Sequence, residues 1–98
     1  MRFRFADDDL AKLYSDVGFD GGHGRDVVRA FRKVMQAIDR AVDERDFYAM
    51  KSLHFEKLKG DRSHQRSMRL NNQWRLILEI EKSDPKNVVV IISIEDYH

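Results

Sequence analysis

Ninety-eight residues, 42% of them hydrophobic and 36% charged, fit one small folded domain spanning 1–98 and exclude a disordered chain. The lack of cysteine excludes disulfides, thiolate catalysis and thiolate metal sites. Net charge is +1, no apolar core of a signal peptide follows the basic N-terminal residues, and the longest apolar run covers only residues 88–92, so a cytoplasmic protein without membrane association is expected.

Met1, Phe3 and Phe5 alternate with Arg2 and Arg4, the period of a half-buried strand. Asp7, Asp8 and Asp9 then put negative charge where a helix N-terminus favours it. Leu10, Leu13, Tyr14 and Val17 follow at helical spacing, with the helix ending near Gly18. Four of the five glycines fall between 18 and 24. Without the spacing of a phosphate-binding loop, and behind a helix rather than a strand, they read as an inter-helix loop, with His23 at the surface. Residues 25–42 carry the strongest periodicity: Val27, Phe31, Val34, Ile38 and Ala41/Val42 form one stripe, flanked by Val28, Met35 and Ala37, with Arg29, Arg32, Lys33, Gln36, Asp39 and Arg40 outward. A short helix over 47–53 leading into a strand over 54–58 is the expectation for the ambiguous stretch that follows.

From there the period is two. Met68 and Leu70 alternate with Ser67 and Arg69; Trp74, Leu76, Leu78 and Ile80 alternate with Arg75, Ile77, Glu79 and Glu81. The only proline lies in a turn over 83–87, and the uniformly apolar residues 88–94 predict an internal strand covered on both faces and paired in parallel on one side. A three-residue turn over 71–73 pairs Leu70 with Trp74, Met68 with Leu76 and Arg69 with Arg75, giving one clean apolar face. A two-residue turn mixes apolar and charged groups. The favoured register sets two arginines side by side, which is destabilising unless an anion lies between them or they diverge into solvent.

Charge is unevenly placed. Residues 57–75 hold six cations (Lys57, Lys59, Arg62, Arg66, Arg69, Arg75) against Asp61 alone, a local +5, while residues 76–98 sum to −3. Such a patch is either a solvated face or the footprint of a polyanion, and Lys57, Lys59, Arg62, Arg66 and Arg69 are the candidate RNA contacts. The four histidines have no metal-ligand spacing and no nucleophile-elbow motif occurs, so no metal and no cofactor is expected. Metal-free RNA cleavage remains, in which the 2′-OH attacks the adjacent phosphate. Arginine suits the phosphate, histidine the proton, and tyrosine either proton donation or base stacking.

Leu58-Lys59-Gly60-Asp61-Arg62, the 67–75 segment with Asn72-Gln73-Trp74-Arg75, and the closing Asp96-Tyr97-His98 together resemble the HigB (plasmid-maintenance killer) branch of the RelE/ParE toxin superfamily. The order of the preceding strand and two helices is similar too. The resemblance implies an α+β fold, an N-terminal strand and two helices on a mostly antiparallel sheet. It implies a type II toxin that enters the ribosomal A site and cuts translated mRNA. The implied partner is a neutralising antitoxin with a helix-turn-helix domain, through which alone the complex meets operator DNA. By position, Arg75, Asp96, Tyr97 and His98 match active-site residues of such toxins, and Lys59 and Arg62 match the basic loop that approaches RNA; Arg69 joins them mainly through the register argument. Some members have a histidine where Glu56 stands here, with His54 two residues earlier, so the base role falls to His98 first and Glu56 second. The alternatives are a ParE-like inhibitor that binds DNA gyrase, which needs no proton-moving tail, and a non-catalytic RNA-binding module.

Overall fold

The structure, a computed structural model, describes residues 1–96. Strand β1 (Arg2–Phe5) leads into helices α1 (Asp8–Ser15), α2 (Arg25–Arg40) and α3 (Arg45–Ala49), and strands β2 (Glu56–Lys57), β3 (Arg66–Arg69), β4 (Trp74–Glu81) and β5 (Val88–Asp96) follow. The sheet order is β1-β5-β4-β3-β2, with β1 parallel to β5 and every other pair antiparallel. This is the expected α+β arrangement, and β5 has the parallel neighbour that its apolar run implied.

Local chemistry explains the element ends. Asp7 caps α1, accepting from the Leu10 N–H at 2.8 Å, and Asp8 and Asp9 occupy its first turn. The helix stops at Ser15, short of Gly18. Its C-terminal carbonyls are satisfied by a side chain rather than by glycine: Arg32 Nε donates to Leu13 O at 3.1 Å and Nη2 to Asp16 O at 2.9 Å. Arg32 is therefore half-buried and structural, not simply outward. Helix α2 ends at Arg40, so Ala41 is buried but Val42, expected on the apolar stripe, is 65% exposed. The strand expected over 54–58 shrinks to Glu56–Lys57, because His54 takes a left-handed conformation (φ 47°) at the end of the 3-10 turn Lys51–Leu53.

The core lies between the helices and one face of the sheet. Phe31, Met35 and Ile38 of α2, Leu13 of α1 and Phe47 of α3 pack with Met68, Leu70, Leu76, Leu78, Val89 and Ile91. Trp74 joins from the edge, with His23 set edge-on against it (5.9 Å between centroids), so His23 is half-buried rather than a plain surface residue. The other, open face lies outside the main core, yet Ile77 and Val90 are buried on it, so β5 is covered on both faces over 89–91, as expected.

Candidate nucleic-acid interface

The β3–β4 turn sets the register of the open face. The Asn71 side-chain oxygen accepts from the backbone N–H groups of Gln73 and Trp74, both at 2.8 Å, and the Leu70 N–H donates to Trp74 O at 2.9 Å. These bonds close the three-residue turn that the hydrophobic pattern favoured. Asn71 Nδ2 also ties the turn to Asp26 of α2 at 2.8 Å. Met68 then pairs with Leu76 on the core side and Arg69 with Arg75 on the open side, as expected.

A second feature sets the other flank of the row. In the β4–β5 pairing Ile77 lies opposite Ser93 but Leu78 opposite Ile91, leaving Ile92 as a bulge. The bulge inverts the alternation of β5. Val89 and Ile91 face the helices before it and Ile94 after it. Beyond the bulge Glu95 pairs with Arg75, while Asp96 pairs with Trp74. Arg69, Arg75 and Glu95 thus form one row across three neighbouring strands, with Glu56, Ser67, Ile77 and Ser93 as the adjacent row. The two arginines do stand side by side. The sheet supplies its own anion in Glu95, and Arg69 turns away, donating to Asn71 O (Nε, 3.3 Å) and to the Asn72 side-chain oxygen.

Arg62, at the end of the 3-10 turn Gly60–Arg62, crosses to this row. Its Nη1 and Nη2 donate to Glu95 Oε1 and Oε2 at 3.0 and 2.9 Å, and its Nε donates to Gln65 Oε1 at 2.9 Å. Gln65 Nε2 in turn donates to Glu79 Oε2 at 3.2 Å, and the Ser93 hydroxyl donates to Glu95 Oε2 at 2.6 Å. Arg62 and Gln65 therefore reach the open face on either side of the buried Ile77. The hydrogen bonds from Arg62 hold the Glu95 carboxyl below its ordinary range against the opposing effect of partial burial, with Ser93 adding to the lowering. Glu95 conversely raises Arg62.

The expected site residues divide. Arg75, Arg69 and, through its reach, Arg62 come together on the open face; Glu56 shares that face, one row away on β2, and is exposed. Lys59 is exposed in the preceding loop. Lys57 and Arg66 pair with each other and align with Leu78, so their register parity is that of the core side. Arg66 Nη1 folds back onto Ser63 O and Gln65 O at 3.1 and 3.2 Å. Asp96 has the parity of Trp74, not of Arg75, and its Oδ2 accepts from Gln73 Nε2 at 3.1 Å. Tyr97 and His98 lie outside the described residues. Sequence reasoning missed Glu95, Gln65, Glu79 and Ser93; the one available signal was that the Arg69–Arg75 row must continue onto the last strand. Two grooves of about 570 and 610 Å³ lie instead along α2, lined by residues such as Arg25 and Arg29 in one and Ala37 and Met50 in the other, away from the row.

What the open face can do chemically is bind an anion. It offers guanidinium groups on a rigid sheet and a basic loop that crosses to it, next to a carboxylate that holds one of those groups. Comparison with known proteins gives two findings. The family model of HigB-like toxins, described as the RelE-like toxin of the type II toxin–antitoxin system HigB, matches residues 3–98. A solved structure, the YoeB/ParE toxin from Agrobacterium tumefaciens, superposes with a TM-score of 0.59 at 13% identity, covering 100% of both chains. At that identity the likeness speaks for the fold, which is that of RelE/ParE-like toxins. No curated protein matches the chain.

Proposed function

We propose that this chain, which belongs to the family of HigB-like, RelE-type toxins of type II toxin–antitoxin systems, is a ribosome-dependent endonuclease that cuts messenger RNA during translation. The observation that carries the reading is the Arg69–Arg75–Glu95 row with the Arg62 fork laid across it. A gyrase inhibitor needs a docking surface, not convergent guanidinium groups beside a carboxylate, so the ParE-like alternative is not favoured.

In the proposed reaction the ribose 2′-oxygen forms a bond to the adjacent phosphorus and the bond to the 5′-oxygen breaks, leaving a 2′,3′-cyclic phosphate. A base takes the 2′-hydroxyl proton and an acid returns one to the departing 5′-oxygen. Arg75 compensates the charge that builds on the non-bridging oxygens. Lys59 and Arg62 hold flanking phosphates. By the family resemblance Tyr97 and His98 supply proton transfer and orientation, with His98 as base ahead of Glu56, since a carboxylate beside a phosphate is repelled by it; Asp96, with the parity of Trp74, is left to hold the strand end through Gln73. The toxin family implies a cognate antitoxin. In the proposed system the antitoxin carries the helix-turn-helix domain, contacts operator DNA on behalf of the complex, and neutralises the toxin in the cytoplasm, where the ribosome is the target. No helix of the described residues is long and apolar enough to cross a membrane.

The test is to add the protein to translating ribosomes and map new mRNA 5′ ends. New ends confined to translated regions, lost in Arg75→Ala, support the reading. Intact transcripts accompanied by gyrase-dependent DNA damage would instead establish the ParE-like alternative.

A further inference from the structure

We propose that the Glu95 carboxylate stands in a phosphate site: an RNA phosphodiester displaces it from the Arg62 fork, and this exchange sets how tightly the free protein binds RNA. The proposal rests on the RNA-cleaving reading above and deepens it.

The geometry separates a fixed part from an exchangeable part. Arg62 is held from behind by Gln65, whose amide is oriented by its own bond to Glu79. That anchor does not involve Glu95. The two remaining donors point forward as a fork and meet two oxygens at 3.0 and 2.9 Å, an arrangement that carboxylate and phosphate oxygens satisfy equally well. The pair is open to solvent, with side chains 45% and 37% exposed, so it is weak enough to exchange. Of the other ion pairs among the described residues, Arg4–Glu81 lies at the far end of the sheet, Arg45–Asp43 is local to the loop before α3, and His64–Glu79, at 3.9 Å, reaches the open face from the same loop but beyond the guanidinium row. Arg62–Glu95 is the one that joins the basic loop to the guanidinium row, across 33 positions of sequence. A phosphate that takes the carboxylate's place also lies beside Arg75, the cross-strand neighbour of Glu95. Ser93, which holds the carboxylate by its 2.6 Å bond, makes Glu95 the better competitor.

The alternative role for Glu95 is a permanent brace that positions Arg62 for RNA, and the two roles predict opposite signs. Binding of a short, uncleavable 2′-O-methyl RNA is followed by fluorescence anisotropy over a range of salt concentrations. Under exchange, Glu95→Gln tightens binding by about two- to five-fold, the value of an exposed pair. It also steepens the slope of log K against log salt by about 0.7, because Arg62 no longer trades one anion for another. Ser93→Ala tightens binding in the same direction. Glu81→Gln, which removes the same charge at the far end of the face, has a smaller effect, and Arg62→Ala abolishes the gain in the Glu95→Gln background. Unchanged, weaker or unmeasurable binding by Glu95→Gln overturns the exchange, as does an equal gain from Glu81→Gln or a gain that survives Arg62→Ala. Cleavage on ribosomes is scored separately. Tightened binding without wild-type cleavage refutes the nuclease reading and leaves the exchange standing, whereas cleavage without tightening does the reverse.

Discussion

Replacing Arg75 tests the nuclease reading most directly. Arg75 is half-buried in the middle of the row, on a strand whose backbone is paired on both sides. The phosphate carries one negative charge in the ground state and close to two in the transition state, so only the added charge counts toward catalysis. One unit charge about 4 Å from a guanidinium, at an effective dielectric constant of about 20, is worth about 4 kcal/mol. Water at this half-exposed position halves it, giving about 2 kcal/mol. Arg75→Ala should therefore lower the cleavage rate by about 30-fold. Arg75→Lys keeps the charge but loses the planar fork, and should fall between Ala and wild type. The assay is single-turnover cleavage of an mRNA on stalled ribosomes, with circular dichroism and thermal melting of each variant. Arg75→Ala cleaving within about three-fold of wild type, with its melting temperature kept, would refute the assignment of charge compensation to Arg75.

Three further outcomes follow from the fold. Arg32→Met removes the guanidinium that satisfies the end of α1, and calorimetry should find a loss of about 1–2 kcal/mol, or roughly 4–8 °C in Tm for each kcal/mol. Phe31 is fully buried against both helical and sheet neighbours, so Phe31→Ala should cost about 3–5 kcal/mol by urea denaturation, a large share of the total stability of a domain this size. The Glu95 carboxyl is depressed in the folded state, so its pair with Arg62 stabilises above the unfolded carboxylate pKa and that contribution is lost as pH falls through the folded value. At its exposure the pair is worth only about a few tenths of a kcal/mol, so the melting difference between wild type and Arg62→Ala should be small at neutral pH and vanish in acid; a difference that grows on acidification would contradict it.

Much of the architecture is legible from side-chain period alone. The α2 stripe, the Arg69–Arg75 register and the parallel neighbour of β5 all follow from it, because a helix or strand that buries one face has few ways to do so. The element ends were less legible. Arg32 replaces a glycine cap by reaching in from another helix, and the left-handed backbone of His54 breaks a strand that the local residues would allow. The first depends on a neighbour distant in sequence, the second on the 3-10 turn that His54 closes by donating to Lys51 O.

The candidate site divides along the same line. The chain itself determines that cations cluster over 57–75, that Arg75 stands next to Arg69, and that it belongs with the HigB-like toxins. It could not determine which tail carboxylate faces them. Strict alternation from Val89 and Ile91 would put Asp96 on the face of Arg75 and Glu95 on the helical side. One extra residue, Ile92, inverts that order, so Glu95 faces Arg75 and receives Arg62. A bulge leaves no mark in an apolar run, since Ile92 fits either face, and only the packing of β5 between β1 and β4 decides where the added residue goes.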